Sequence, residues 1–398
     1  MNRRGVIALL ACVSAAVAGS AGGAQSKAAP PPLIADLPPL GAAAPRFGDD
    51  TSRADVAWAM MGREDRIAPP DAPPRRCVLA EANPAEIVAN AAADAQIVII
   101  NEAHDHPEHR AFIADVAVRL AALGFHTYAS ETLIGAPNTA APRPGDGVYA
   151  GEPAYGALLR TLRRQGYSLV AYEDNARDPA SDNYITDINR REAKLASNLI
   201  NGVFRADRNA KVLIHVGYAH NKESIDLAQG GPFRPRAITW LARRLKDILG
   251  VDPLTIDQTI FEADRDGVCY TSEGGGPPGV DRDLYVAHAP VRFERNRPVW
   301  RRDRGAQFVD APTRLRRADQ RVIVEARPAG DPADATPADR VLIDPGEDIP
   351  LLLAPGAYTV RAWTDDNAWT SDVALTVRAP APPPALRQQQ QTSRRKKK

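Results

Sequence analysis

The sequence predicts an α/β domain with a mostly parallel sheet flanked by helices, followed by a small all-β, sandwich-like domain at the C-terminus. Three observations predict it. Between about residues 77 and 257, short apolar runs alternate with amphipathic segments of helical period, the pattern of helices packed on a largely parallel sheet. Four of those runs lead straight into acidic or histidine residues. Beyond Asp257 the helical period ends, and short β-like runs separated by glycine, proline and charge take over.

At the N-terminus, Asn2-Arg3-Arg4, an apolar stretch over 6–18 and small residues as far as Ala24 form a secretory signal, residues 1–24. The expected location is therefore periplasmic or secreted. At ~13 residues the apolar stretch falls short of the ~20 that span a bilayer, and no later segment approaches that length, so no transmembrane segment is expected. Leu9-Leu10-Ala11-Cys12 also has lipobox form, which would leave an outer-membrane lipoprotein with a lipid anchor at Cys12. The apolar residues continuing past Cys12 favour ordinary cleavage near Ala18 or Ala24. Residues 25–76 read as a Pro- and Ala-rich linker with a short helix over 53–62, capped by Ser52 and followed by the prolines of 69–74.

The α/β domain is assigned to residues 77–300. Helices are expected over 84–92, 107–123, 153–164, 185–204 and 237–249, and strands over 97–100, 126–130, 167–172 and 212–216. Phe112, Val116 and Leu120 recur at helical spacing, and Gly124 and Gly250 stand just past helix ends. Residues 301–379 hold β-like runs at 322–326, 349–353, 358–363 and 373–377 with Pro-Gly turns, suited to a small β-sandwich. Residues 380–398, proline-rich, then glutamine-rich, then basic, read as a disordered tail.

Composition bounds the function. The 398 residues are 44% hydrophobic and 25% charged, with 35 prolines and 8 phenylalanines, a soluble chain with much irregular structure. A net charge of +1 supplies no field to attract nucleic acid. If the signal is removed beyond Cys12, Cys77 and Cys269 remain; they either pair in an oxidising compartment or pack separately as small hydrophobes. No Cys-x-x-Cys occurs, which removes thiol redox and zinc-knuckle readings.

The chemistry concentrates in Asn101-Glu102-Ala103-His104 and Gly217-Tyr218-Ala219-His220. Glu102 and His104 follow the first strand, Glu131 the second, Glu173 and Asp174 the third and His220 the fourth. In an open parallel sheet such positions converge in one crevice at the carboxyl ends of the strands. Histidine suits proton transfer near neutral pH and metal ligation, and carboxylates supply a base or hard ligands. Glu102, Glu131 and a histidine suit one divalent ion (Mn, Co or Zn), or equally an arrangement that orients a histidine without metal; spacing alone does not choose. A zincin is excluded because Glu102-x-His104 lies at a strand end rather than on a helix turn. His106 and His109 fit a surface role as well as a site role, and His215 fits a satisfied core histidine better than a ligand.

The run 97–104, the Pro-Glu-His-Arg helix start, Glu131, Asn189-Arg190-Arg191-Glu192 and the segment 215–220 together resemble the superfamily that unites erythromycin esterase-like, ChaN-like haem-uptake and TraB/Tiki proteins. The resemblance covers roughly residues 95–258. It implies Glu102, His104, Glu131 and His220 at the site, with Arg191 as partner for a carboxylate or a developing anion. Asn101 stands where that superfamily has glycine, and asparagine accepts unusual backbone conformations better than most residues. The leading expectation is an exported hydrolase acting on an ester, lactone or amide in a small molecule or peptide. The alternative is a non-catalytic haem- or metal-binding envelope protein with Tyr218 or His220 on the iron.

Overall fold

A computed structural model describes residues 52–67, 75–135, 141–173, 183–227, 237–272, 281–364 and 368–380. The expected signal segment, Cys12, most of the linker, Asp174 and the tail from 381 lie outside the described residues. Among the described residues, no helix is long and apolar enough to cross a membrane.

The α/β domain is built from β1 (Arg75–Leu79), α2 (Pro84–Ala91), β2 (Ile97–Glu102), α3 (Pro107–Ala121), β3 (Thr127–Ser130), α4 (Pro153–Arg164), β4 (Ser168–Ala171), α5 (Tyr184–Leu199) and β5 (Val212–Gly217). It continues through β6 (Ile225–Leu227), β7 (Ala237–Thr239), α6 (Leu241–Leu249), β8 (Leu254–Asp257), β9 (Phe261–Glu262), β10 (Gly267–Ser272) and β11 (Leu284–Ala287). A further helix, α1 (Ser52–Met60), precedes them. The central sheet runs β4-β3-β5-β2-β8-β11-β10-β1-β9, parallel from β4 to β11 and antiparallel across β11, β10 and β1.

Strands β2 and β5 are apolar almost throughout because both their faces are covered. Alternation sends Val98, Ile100 and Leu213 into one core with α2, α3 and α4, and Ile97, Ile99, Val212 and Ile214 into a second core with α5 and α6. Local chemistry sets the helix starts. Asn83 accepts from the backbone N–H groups of Ala85 and Glu86, Glu152 accepts from Ala154 and Tyr155, and Pro107 opens α3.

Two expectations are corrected, the extent of the last helix and the packing of the linker helix, and the runs past Asp257 gain a place. The helix expected over 237–249 starts at Leu241, because residues 237–239 pair with β6 as a two-stranded ribbon. Beyond Asp257 the β-like runs near 268 and 284 are β10 and β11, which extend the central sheet, beside the unforeseen β8. The short helix of the expected linker packs instead on the C-terminal sheet, where Trp58 and Met61 meet Ile323, Leu342 and Trp363. Cys77 and Cys269 form a disulfide between the adjacent strands β1 and β10, closing 192 residues of sequence.

The C-terminal part opens with the hairpin β12 (Phe293–Glu294) and β13 (Arg297–Pro298), followed by the short helix α7 (Trp300–Asp303). Next come β14 (Gln307–Val309), β15 (Val322–Pro328), β16 (Asp339–Ile343), β17 (Leu351–Leu353), β18 (Gly356–Thr364), β19 (Ala368–Trp369) and β20 (Val373–Val377). An antiparallel sheet of β16, β15, β18, β19 and β20 packs one face on the β14–β17 ladder. The opposite face receives α1, so β15 is buried on both sides, Val322 and Val324 toward the ladder and Ile323 toward α1. This layer is pinned to the start of α4: Arg340 donates to the Gly151 carbonyl at 3.0 Å and Thr336 to that of Ala150 at 2.6 Å.

Candidate active site

The two cores meet the crevice from opposite faces of the sheet. Glu102 shares its side of β2 with Val98 and Ile100 and so faces α3, whereas Glu131, one residue past β3, follows the parity of Ala129 toward α5. Glu102 and Gly217 are register partners on neighbouring parallel strands. Gly217 is the seam. A Cβ there would lie 2.6 Å from His104 Cε1 and 2.8 Å from both His104 Nε2 and Glu131 Oε1. Only a glycine lets the His104 ring and the Glu131 carboxylate close over the strand end together. Its N–H donates to Glu131 Oε1 at 3.0 Å.

Glu102 is fully buried. Arg110 donates to it through two nitrogens, each at 2.8 Å, His104 Nδ1 lies 3.0 Å from Oε1, and His215 Nε2 lies 2.9 Å from Oε2 in an oblique approach. Burial alone would raise the Glu102 pKa, but Arg110, with His215 and His104, holds it well below the usual carboxylate range. Arg110 reaches on to Glu152 at 3.3 Å and to the His104 carbonyl at 2.8 Å, and lies over the Tyr149 ring. The His104 ring is flanked by Tyr149 at 4.7 Å and by Tyr218, edge-on, at 5.1 Å.

On the other side, His220 Nδ1 lies 2.8 Å from Glu192 Oε1, and its Nε2 lies 3.1 Å from an Arg191 nitrogen and 3.4 Å from Glu131 Oε2. Burial disfavours the protonated ring, yet Glu131 and Glu192 raise the His220 pKa on balance. Glu131 is held below its ordinary value against the cost of burial, mainly by His220 and Arg191. Its Oε2 is buried with no hydrogen-bond partner among the described residues. Glu173 grips Arg191 through both carboxylate oxygens, at 2.6 and 2.9 Å.

All five residues expected at the site thus converge: Glu102 at the end of β2 and His104 two residues past it, Glu131 just past β3, Arg191 from α5 and His220 after β5. Tyr218 joins them at the rim with a strained φ of 36°, the residue 42% exposed. Asn101 works differently from the expectation. Its backbone is ordinary strand, and its side chain does the bridging, donating to the Tyr218 carbonyl at 2.7 Å and to Asp257 at 2.8 Å while accepting from the Gln258 N–H. Sequence reasoning missed Arg110, His215, Tyr128 and Glu192 as parts of the cluster. A charged residue on the face of α3 that also carries Ile113 and Ala117 was the available signal for Arg110.

In the expected metal set of Glu102, His104, Glu131 and His220, Glu102 is already engaged by protein partners. A carboxylate has about four lone-pair positions, and three of those of Glu102 are taken by two Arg110 nitrogens and His104, with His215 Nε2 2.9 Å away in an oblique contact. Among the described residues, the group that brings three ligand atoms together is His106, Glu108 and His109, on the first turn of α3. There His109 Nδ1 accepts the Ala103 N–H at 3.1 Å and His106 is bound to Glu108 at 2.7 Å, which uses a ligand atom on each ring.

No known family and no curated protein matches the sequence. Several solved structures do, at low similarity. The type III effector HopBA1 is 15% identical, with 55% of this chain and 97% of that one covered and a TM-score of 0.35. RRSP, a MARTX toxin effector domain from Vibrio vulnificus CMCP6, is 16% identical over 45% of this chain and 36% of that one, TM-score 0.33. The C-terminal region of Pasteurella multocida toxin, described as having a thiol-protease-like catalytic triad, is 10% identical over 74% of this chain and 48% of that one, TM-score 0.30. Likenesses at these scores carry no argument about the chemistry of this chain. Both of its cysteines among the described residues are tied up in the disulfide.

Proposed function

We propose that this protein is an exported hydrolase in which His104, oriented by Glu102, activates water against an ester, lactone or amide carbonyl. One observation carries the reading. Glu102 is held by two Arg110 nitrogens, so it serves to orient His104; with Nδ1 turned to Glu102, His104 keeps Nε2 without a hydrogen bond among the described residues, on the crevice side beside Gly217. The chemistry then runs in two steps. His104 Nε2 takes a proton from water as the oxygen adds to the carbonyl carbon, and the same proton passes to the leaving group as the bond to it breaks. The oxyanion formed in between would face Arg191 and the protonated form of His220. General-base help of this kind is worth about 10²- to 10⁴-fold in rate.

Membership of the erythromycin esterase-like and ChaN-like superfamily is part of this proposal, and the motif residues that now sit together support it. The disulfide supports export, since such bonds persist mainly in oxidising compartments. The haem-binding alternative rests on the resemblance alone and is tested by a haem titration followed in the Soret band. For the hydrolase, purified full chain is screened on ester, lactone and amide substrates beside His104→Ala and Glu131→Gln. The expected result is turnover by the native protein and loss of at least about 100-fold on His104→Ala. Turnover unaffected by His104→Ala would overturn the reading.

A further inference from the structure

Glu102 is shared by two histidines, and the proposed reaction uses only one of them. The second, His215, is 1% exposed, closed off from substrate, and its side chain meets polar groups at both ends. Tyr128 Oη lies 2.6 Å from Nδ1, and Glu102 Oε2 lies 2.9 Å from Nε2. Tyr128 comes from β3 and His215 from β5, on adjacent strands where Ser130 and His215 are register partners. Behind Tyr128, the hydroxyls of Ser130, Thr132 and Tyr155 form a buried set joined at 2.7 to 3.2 Å.

We infer that His215 is a positioning residue: fixed by Tyr128 in the tautomer with its proton on Nε2, it steers Glu102 so that the opposite carboxylate oxygen aligns His104. The inference deepens the hydrolase reading and rests on it for its catalytic consequence, but its geometry stands independently. The tautomer follows by elimination. With the proton on Nδ1 alone, a bare Nε2 would face a carboxylate oxygen at 2.9 Å, lone pair against lone pair. With protons on both nitrogens, a second cation would be buried beside Arg110 against the single carboxylate of Glu102, with little water to screen the repulsion between the two cations. In the neutral Nε2–H form the Tyr128 hydroxyl donates to Nδ1, and the Nε2 proton lies beside Glu102 Oε2 at an oblique angle, an electrostatic contact rather than an aligned hydrogen bond. Burial raises the Tyr128 pKa well above the ordinary phenol value, which keeps that hydroxyl protonated and able to donate.

The carboxylate is thus held by more than the Arg110 fork. Arg110 fixes the plane of Glu102 from α3, while His215 approaches from β5, across the sheet direction. Tilting the carboxylate would move Oε1 and release His104 Nδ1, so loss of His215 is expected to appear at His104.

The test uses the full chain labelled with ¹⁵N-histidine, whose seven histidines can be assigned by single substitution. The ring nitrogens of His215 should report a bare Nδ1 and a protonated Nε2, and Tyr128→Phe should mix the tautomers and shift the His104 signals. Alongside this, His215→Met keeps the volume and loses both polar contacts, whereas His215→Gln can accept from Tyr128 and donate to Glu102. If the screen yields a substrate, His215→Met should lose about 10- to 100-fold in kcat with KM within about twofold, the usual scale for removing an outer partner of an oriented group, and His215→Gln should recover most of that loss. A doubly protonated or Nδ1-protonated His215, or His104 signals unmoved by His215→Met, would overturn the inference whether or not turnover is found. Equal activity of the Met and Gln variants would overturn it through catalysis. Absence of turnover in the native protein, with the tautomer as described, would instead refute the hydrolase reading and leave the positioning geometry supported.

Discussion

Replacing Gly217 by alanine isolates the seam of the site from the stability of the fold. The backbone of Gly217, at φ −89° and ψ 149°, is ordinary extended chain that alanine adopts without strain. A Gly→Ala change at such a position stabilises by about 0.4 to 1 kcal/mol through the unfolded state. Against this, the new Cβ sits 2.6 Å from His104 Cε1 and 2.8 Å from Glu131 Oε1. Reaching ordinary contact near 3.5 Å requires the His104 ring to retreat by about 0.9 Å. Overpacking of this sort costs about 1 to 3 kcal/mol, so the net effect is at most about 2.5 kcal/mol and a fall in Tm of up to about 10 °C. Activity should suffer much more, because a misplacement near 1 Å at the reacting group costs about 100-fold. The assay is paired: a thermal melt, and turnover of whichever substrate the screen identifies. Gly217→Ala with native turnover would refute the close approach on which the crevice is built; a collapse in Tm well beyond about 10 °C would show that Gly217 is needed for the fold rather than for the site.

Other consequences can be checked in the same preparations. Arg110→Leu leaves Glu102 and Glu152 buried without their shared cation and should cost about 3 to 5 kcal/mol in urea unfolding; a cost below about 1 kcal/mol would show that the cluster is not assembled as described. Reduction of Cys77–Cys269 frees a loop of 192 residues and, on the chain-entropy account, should remove about 5 kcal/mol; unchanged urea unfolding in reductant would contradict the bond. The Glu131–His220 pair sets a pH window. Glu131, with its folded pKa lowered, stabilises fully above about pH 4.3, and this is lost as pH falls through the depressed value. His220, with its folded pKa raised, stabilises fully below about pH 6.5, and this is lost as pH rises through the raised value. Their joint contribution should be greatest between about pH 4.3 and 6.5, and Glu131→Gln should flatten both limbs of the stability profile.

Much of the α/β domain was legible in the sequence because its central strands are covered on both faces. The apolar runs that became β2 and β5 stand out for that reason, and Pro107 and Gly124 bracket the helix between β2 and β3. Strand β8 escaped because Leu-Thr-Ile-Asp is too short and too mixed to show a period, and it owes its place to β2 and β11 on either side. Residues 237–239 look helical on their own; their pairing with β6 depends on Asn189, whose side chain takes the Thr239 N–H and donates to the Ala237 carbonyl. Helix α1 was unreadable as part of a core because its partners lie far along the chain, at Leu342 and Trp363.

At the site, residues that follow strand ends could be named from position alone. Those that act by contact could not. Arg110 looks like any charged residue early in a helix until Glu102 and Glu152 are seen on either side of it. Glu192 is legible only as the end of the run 189–192, with no role; it is fully buried, receives the Leu241 N–H at the start of α6 and faces His220. His215 was read as a satisfied core histidine; Tyr128 meets its Nδ1, while its Nε2 stands 2.9 Å from Glu102 in an oblique contact.

The central claim is that Glu102-held His104, with no metal on those residues, activates water. The most direct measurement is turnover of a screened ester, lactone or amide by the full chain before and after dialysis against a strong chelator, with His104→Ala in parallel. The account predicts activity that survives the chelator and is lost with His104. Activity abolished by the chelator and restored by Mn²⁺, Co²⁺ or Zn²⁺, or activity retained by His104→Ala, would contradict it.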